Sequence, residues 1–265
     1  MKLNVAVIAL RLVDFLVNGV IVIVFGLLFI CGLYRIIDSE FAYHQADNAV
    51  SYNCPGMRPK KGKKLSFDQL RRMNHDVFGW LEVDGTNISY PLVQGSDNVK
   101  YVNTDVKGGF SLIGSIFLDC RNSRDFSDAS NIIYGHHMNR HRMFGSLECF
   151  EGRKYFERHR TGWLFYDKRW HRVHFFAFVK ADAHDAVLFN PYLEKGRKAE
   201  SGYLKYVRRH ACRYRKIRGG REGHFVTLAT CSEKSTNGRY LLIGRIEREG
   251  NISSRRRMEM VDEQD

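Results

Sequence analysis

The feature that most narrows what this chain can become is a nearly continuous apolar run from Leu12 to Tyr34, broken only by Asp14 and Asn18 near its N-terminal side. At 1.5 Å of rise per residue, a helix of that length spans a hydrocarbon core of about 30 Å. Polar side chains at its N-terminal side can reach the interface. The run exceeds the roughly 7–15-residue apolar core of a secretion signal and lacks a small-x-small cleavage site. Lys2 and Arg11 precede it, and Arg35 follows with Asp38 and Glu40 close behind, so nearby positive charge is only weakly asymmetric. The expected arrangement is an uncleaved single-pass anchor over residues 1–40, with the bulk of the chain outside the cell.

The remainder is large enough for one sizeable domain. Across 265 residues, 42 Lys and Arg against 29 Asp and Glu give a formal net charge of +13. Such a balance fits nucleic acid, an anionic membrane surface or an acidic wall polymer. Nucleic acid is not expected, because zinc spacing, an RNP aromatic signature and a helix-turn-helix pattern are all missing. Of the six cysteines, Cys31 falls in the anchor. Cys54, Cys120, Cys149, Cys212 and Cys231 are odd in number and irregularly spaced, so at least one thiol stays unpaired within a monomer. No pair has metal-ligand spacing, and no metal is expected.

Phe41 to about Val50 reads as a polar continuation of the helix. Asn53–Lys64, with Pro55-Gly56, Pro59 and a lysine cluster, reads as linker, giving a juxtamembrane segment over 41–64. Ser66-Phe-Asp-Gln69 matches a capping box and predicts a short helix to about Asn74. Strands are expected at Val77–Val83, Ile88–Val93, Ile113–Leu118, Asn131–Tyr134, Gly162–Tyr166, His171–Lys180, His224–Thr230 and Tyr240–Ile246, with Asp84-Gly85 as a hairpin turn. From about Ala199 to Arg215, Tyr203, Leu204, Tyr206, Val207 and Ala211 form an apolar stripe opposite many arginines, which predicts a helix. Short strands with one inserted helix indicate a mostly-β barrel or sandwich over 65–248, followed by a polar tail over 249–265.

Two strand ends carry the candidate chemistry. Thr227-Leu-Ala-Thr-Cys231 delivers a thiol at the end of an apolar strand, and Arg239 opens the next one. A thiol beside a guanidinium suits acyl transfer, since the cation can orient or stabilise a carbonyl oxygen. The same pair fits a buried structural thiol and a surface charge equally well. A cysteine nucleophile also needs a proton manager, and imidazole has the right pKa range. Of eleven histidines, His136 stands out: Asn131-Ile-Ile-Tyr-Gly-His136-His137 is a strand that releases a histidine at its end, as the other strand releases Cys231. Adjacent residues of an extended chain point to opposite faces, so only one of His136 and His137 is expected to meet the thiol.

Tyr134-Gly-His136, Thr227-Leu-Ala-Thr-Cys231 and Arg239 together resemble the sortase signature, and the wider chain is similar to the class B sortases. The likeness runs through Phe78-Gly-Trp-Leu-Glu-Val-Asp-Gly-Thr-Asn-Ile-Ser-Tyr-Pro-Leu-Val-Gln-Gly-Ser-Asp-Asn98, Gly114-Ser-Ile-Phe-Leu-Asp119 and Met143-Phe144, covering about residues 66–247. The resemblance implies an eight-stranded β-barrel with an N-terminal helix and a helix inserted before the cysteine strand. It implies a cysteine transpeptidase that cleaves a C-terminal sorting motif of a secreted protein and transfers the new C-terminus to an amine. That amine belongs to a cell-wall precursor or a pilin, on the outer face of a Gram-positive membrane. Cys231 is then the nucleophile, His136 the general acid and base, and Arg239 the group that holds substrate and oxyanion. No cofactor is implied. Asn98 and Tyr134 match positions beside the substrate groove, although Tyr134 equally fits the core and Asn98 a helix cap. Ala229 stands where several class B members have serine, and Ser232 where some have an acid. Together with Thr230, which lies between Ala229 and the nucleophile, these positions bear on substrate choice.

Two other classes use the same features differently. A thiol hydrolase needs the same trio but transfers to water. A basic wall-binding module has no use for the trio at all. A papain-like arrangement is disfavoured, because here histidine precedes cysteine and both lie on strands.

Overall fold

The computed structural model describes the backbone of residues 2–49, 52, 65–217, 224–231 and 237–247, and the side chains of 7–45, 52, 65–217, 224–230 and 237–247. The expected linker stretch Asn53–Lys64 and the expected tail over 249–265 lie outside the described residues. The chain divides into two compact units, Met1–Gln45 and Ala46–Asp265.

The first unit is a single helix, α1 (Lys2–Ala49). It runs without a break through the expected boundary at residue 40, as the polar continuation suggested. Its apolar residues lie all round the helix rather than in one stripe, and none of its most apolar stretch is buried. Val7–Gln45 is long and apolar enough to cross a membrane, and its most apolar 18 residues have a mean hydropathy of 2.7.

The second unit begins with α2 (Phe67–Met73). The capping box forms as read: Ser66 Oγ accepts from the Gln69 backbone N–H at 3.2 Å, and Gln69 Oε1 accepts from the Ser66 N–H at 2.8 Å. These bonds satisfy two amides that a helix start leaves open. The strands are β1 (Val77–Val83), β2 (Ser89–Val93), β3 (Phe117–Leu118), β4 (Ser130–Tyr134), β5 (Thr161–Tyr166), β6 (Arg169–Asp182), β7 (Ala211–Tyr214), β8 (His224–Cys231) and β9 (Gly238–Ile246). Two further helices are α3 (Arg153–Arg158) and α4 (Arg197–His210).

Pairing runs β5-β1-β2-β3-β4-β8-β9-β6, and β6 returns to β5, which closes an eight-stranded barrel. β7 is a ninth strand, added to the second half of β6. Closure of this kind removes free sheet edges. β6 makes it possible through its length: Arg169–His174 pair with β5 on one side, while Val173–Asp182 pair with β9 on the other.

Two expectations need correction. The predicted helix over 199–215 ends at His210, and Ala211–Tyr214 become β7. Partnership with the open edge of β6 outweighs the helical periodicity there, because sheet hydrogen bonds satisfy a backbone that would otherwise face solvent. The predicted strand over 113–118 shrinks to Phe117–Leu118. Gly114 adopts a φ of +62°, and Ser115 N–H donates to Tyr101 O at 3.0 Å, so the chain folds over residues 101–104 before it enters the sheet.

α4 covers one outer face of the barrel. Its Tyr203 and Val207 pack against Phe225, Ala229, Leu241 and Ile243. A second cluster unites α2 with β1 and β2 through Phe67, Leu70, Val77, Trp80 and Val93. Strand β8 is buried on both faces, which explains its nearly unbroken apolar sequence.

The barrel carries a pH liability. His171 stacks on Tyr166 with ring centroids 3.8 Å apart. Burial, and then the Arg169 charge, lower its pKa from 6.5 to about 4. A histidine depressed in the folded state contributes stability above its unfolded pKa and loses it as pH falls toward the folded value. Partial exposure screens the effect, to about 1–2 kcal/mol lost between pH 6.5 and 4. Thermal midpoints at pH 7.5 and 4.5 are expected to differ less in His171→Phe than in wild type. An unchanged difference would remove His171 from the account.

Candidate active site

Three strand ends meet at one rim of the barrel. β4 and β8 are parallel neighbours with Tyr134 beside Ala229, so both deliver their C-terminal residues to the same end. Gly135 N–H extends the ladder by donating to Ala229 O at 3.1 Å. β9 runs antiparallel to β8 and begins there, with Arg239 directly opposite Cys231. The backbone register therefore gathers His136, Cys231 and Arg239, which are distant in sequence.

Beside this rim lies a groove of about 270 Å³ whose lining includes His136, Arg239, Asn98, Tyr134, Ala229 and Thr230. Five of the expected substrate-contacting and catalytic side chains thus share one concavity with Arg239, while Ser232 lies outside the described residues. Ala229 and Thr230 are almost fully buried, so they form its floor. Arg239 Nη1 donates to Gly238 O at 2.8 Å, which draws the guanidinium back along its own strand. Tyr101, Val102, Ile113, Ser115 and Phe117 also line it. None of these five stands out in the sequence as a functional residue. Their signal was weak, because an apolar groove wall has the same composition as core.

The two neighbouring imidazoles part company, as the alternation rule requires. His136 is exposed in the groove, yet desolvation by its surroundings, and then the nearby His137, hold its pKa below the ordinary histidine value. His137 has a side chain only 5% exposed, with Nε2 3.6 Å from Glu148 Oε2. Its ring centroid lies 6.1 Å from that of Tyr240. A neutral imidazole at His136 is ready to accept a proton at neutral pH.

The segment that carries His136 is tied down at several points. Phe144 N–H donates to His136 O at 3.0 Å, and Met143 N–H donates to the Tyr90 hydroxyl at 2.9 Å. Arg140, His141 and Met143 hold positive φ angles of 57°, 55° and 50°, costly conformations for side-chain-bearing residues.

Asn98 and Tyr134 both line the groove, and Tyr134 also packs against the core. Asp97, not Asn98, caps the short turn at Lys100–Val102: its Oδ1 accepts from Val99 N–H at 2.9 Å and Lys100 N–H at 2.8 Å. Asn98 instead accepts from Cys120 N–H at 2.8 Å and faces the groove. Tyr134 is half-buried, 5.3 Å from the Phe117 ring, and its hydroxyl donates to Asp119 Oδ2 at 3.1 Å. Burial and the Asp119 charge push that hydroxyl well above the usual phenol range.

Cys31, Cys120, Cys149 and Cys212 are free thiols. Among the described residues, no group of three or more His, Cys, Asp or Glu side chains could hold a metal ion.

No protein-family model matches the chain. It is 30% identical to Sortase B of Listeria monocytogenes over 188 residues, which cover 67% of this chain and 72% of that one. It is 36% identical to Sortase B of Staphylococcus aureus over 94 residues, a stretch that spans only 38% of that protein's length. Among solved structures, a class B sortase of Streptococcus pyogenes involved in pilus biogenesis superposes with a TM-score of 0.64 at 40% identity, covering 71% of this chain and all (100%) of the other.

Proposed function

Because the chain belongs to the sortase B family, we propose that it is a membrane-anchored cysteine transpeptidase with its barrel on the outer face of the cytoplasmic membrane. In the first half-reaction, His136 takes the thiol proton of Cys231 as the sulfur attacks the carbonyl carbon of a scissile peptide bond in a C-terminal sorting motif. Arg239 stabilises the oxyanion that forms. Collapse breaks the C–N bond, and His136 gives its proton to the departing amine. In the second half, an incoming amine attacks the thioester carbonyl, loses its proton to His136, and expels the Cys231 thiolate. A new amide bond replaces the old one, so the exchange needs no energy source or cofactor.

The observation that carries this reading is the strand register that brings His136, Cys231 and Arg239 to one rim beside a groove of peptide dimensions. The apolar helix α1 supports a membrane location, where both an exported protein and a lipid-linked amine are to be found. The basic surface is compatible with an anionic wall.

The acceptor amine is the finer question. The S. pyogenes neighbour is described as involved in pilus biogenesis and is 40% identical, against 30% for the Listeria relative. That favours a pilin lysine over a wall-precursor amine as a second reading.

The test is a peptide-library cleavage assay on the full chain in detergent micelles, with triglycine or a lysine-bearing peptide added and products weighed by mass spectrometry. Cys231→Ala is expected to lose at least about a thousandfold in rate. A mutant that cleaves as well as wild type would overturn the mechanism. Products that never incorporate either amine would favour the hydrolase.

A further inference from the structure

The outer side of α4 is a stripe of positive charge. At 3.6 residues per turn, Arg197, Lys198, Lys205, Arg208 and Arg209 fall within about 120° of the helix circumference and along about 18 Å of its axis. All five are exposed, and the remaining residue on that arc is Ser201, also exposed. The helix has one acid, Glu200, and it lies off the stripe, where Arg245 Nη2 donates to its Oε1. Among the described residues, no ion pair involves any of the five cations. Arg208 lies over the Tyr214 ring, 6.0 Å from its centroid.

The stability of the helix does not account for this stripe. Arg208 and Arg209 in the last turn suit the helix dipole, but Arg197 and Lys198 stand in the first turn, at its positive end. Lys205 is three and four positions from Arg208 and Arg209, spacings at which like charges weaken a helix. The packing that holds α4 comes from the other side, where Tyr203 and Val207 meet the barrel. An unfavourable arrangement that nothing inside the fold offsets points to a partner outside it.

The stripe is convex and carries no large apolar side chain, so it fits a broad anionic surface touched without insertion. Each Lys or Arg close to an anionic leaflet favours the bound state about fivefold. The apolar helix α1 belongs to the same chain, so a bilayer that takes up α1 keeps the barrel near its surface at a high effective concentration. A wall polymer presents similar charges but lacks this tether. Building on the membrane location proposed above, we propose that the basic stripe of α4 docks on anionic lipid headgroups of the bilayer that α1 crosses. The contact is electrostatic, holds the barrel at the lipid surface in one orientation, and weakens as salt screens it.

The test places the full chain in nanodiscs of phosphatidylcholine alone, or of phosphatidylcholine and phosphatidylglycerol in equal parts, and follows lysine acylation by peptide mass spectrometry. Lys198 and Lys205 report on the stripe, and the exposed Lys107, Lys154 and Lys168 on the rest of the barrel unit. In anionic nanodiscs, acylation of Lys198 and Lys205 is expected to slow about fivefold relative to neutral ones, and that of the three reference lysines by less than about twofold. The protection disappears in raised salt. It also disappears in the triple variant Arg197→Gln, Arg208→Gln, Arg209→Gln, whose thermal midpoint and rate on a soluble peptide stay close to those of wild type.

Equal slowing at all five lysines, or at none, would overturn the proposal, as would protection that survives in the triple variant. Should that variant not fold, salt decides: protection unchanged in raised salt overturns the electrostatic contact. Inorganic polyphosphate added to neutral nanodiscs tests the rival partner. Protection there, with none from phosphatidylglycerol, would assign the stripe to a polymer and sink the docking on lipid. Failure of the membrane reading looks different, as a chain that does not stay with neutral nanodiscs at all.

Discussion

His136→Ala is expected to lower transpeptidation by about a thousandfold, whereas His137→Ala keeps the rate within about threefold. General acid–base groups contribute roughly 10²–10⁴-fold, and here one imidazole serves both the leaving and the incoming amine. The two residues are adjacent, but the structure gives them different neighbours. His136 opens to the groove shared with Arg239, while His137 is 5% exposed and sits against Glu148 at 3.6 Å. A second readout separates them further. Desolvation first, and the His137 charge second, lower the His136 pKa. Removing His137 lifts the smaller of these effects, so the acid-side limb of the pH–rate profile moves to higher pH in His137→Ala. Rates of both variants against pH, on protein of confirmed fold, check both statements. Equal loss in the two variants would overturn the assignment of His136.

How much of this was legible in the sequence depends on the range of the forces involved. Strand β1 matched its expected bounds, Val77–Val83, and the capping box at Ser66 formed both of its bonds. Both are local events, decided by side-chain alternation and by donors three residues apart. β7 was missed because Ala211–Tyr214 have no strand signal of their own and acquire one only from the open edge of β6. Residues 113–116 were misassigned for the opposite reason. Their apolar pattern suits a strand, but the left-handed Gly114 and the Ser115 bond to Tyr101 turn them into a groove wall. The site shows the same division. His136, Cys231 and Arg239 announce themselves as chemistry-bearing residues at strand ends. Asp119 gives no such sign, because a buried carboxylate is recognised only by the groups that converge on it. Arg121 lies two residues away in the chain, but Tyr134 reaches Asp119 from another segment.

Gly145→Ala is expected to be among the most damaging single-methyl additions to the barrel domain. A Cβ at that position would stand 1.9 Å from Met138 O and 3.0 Å from Met138 C. Both atoms are backbone, so no side-chain rotation relieves the clash and one segment must move. Overpacking of this kind costs about 3 kcal/mol at the upper end of its usual range. For a domain of this size that corresponds to about 10 °C in thermal midpoint. The functional cost follows from where the displaced segment leads. Met138 is two residues beyond His136, and Phe144, the residue before Gly145, donates to His136 O at 3.0 Å. A shift of about 1 Å in a catalytic group costs on the order of a hundredfold in rate. Activity is therefore expected to fall even at temperatures where the variant is fully folded. Gly202→Ala provides the contrast, because a Cβ on that exposed residue of α4 meets nothing within 4 Å. It is expected to raise stability by about 1 kcal/mol through helix propensity and to leave the rate unchanged. Thermal midpoints and rates of the two variants, measured side by side, check the pair. A Gly145→Ala protein that melts within about 2 °C of wild type would show that the His136 segment is free to move, contrary to the close approach of residues 138 and 145.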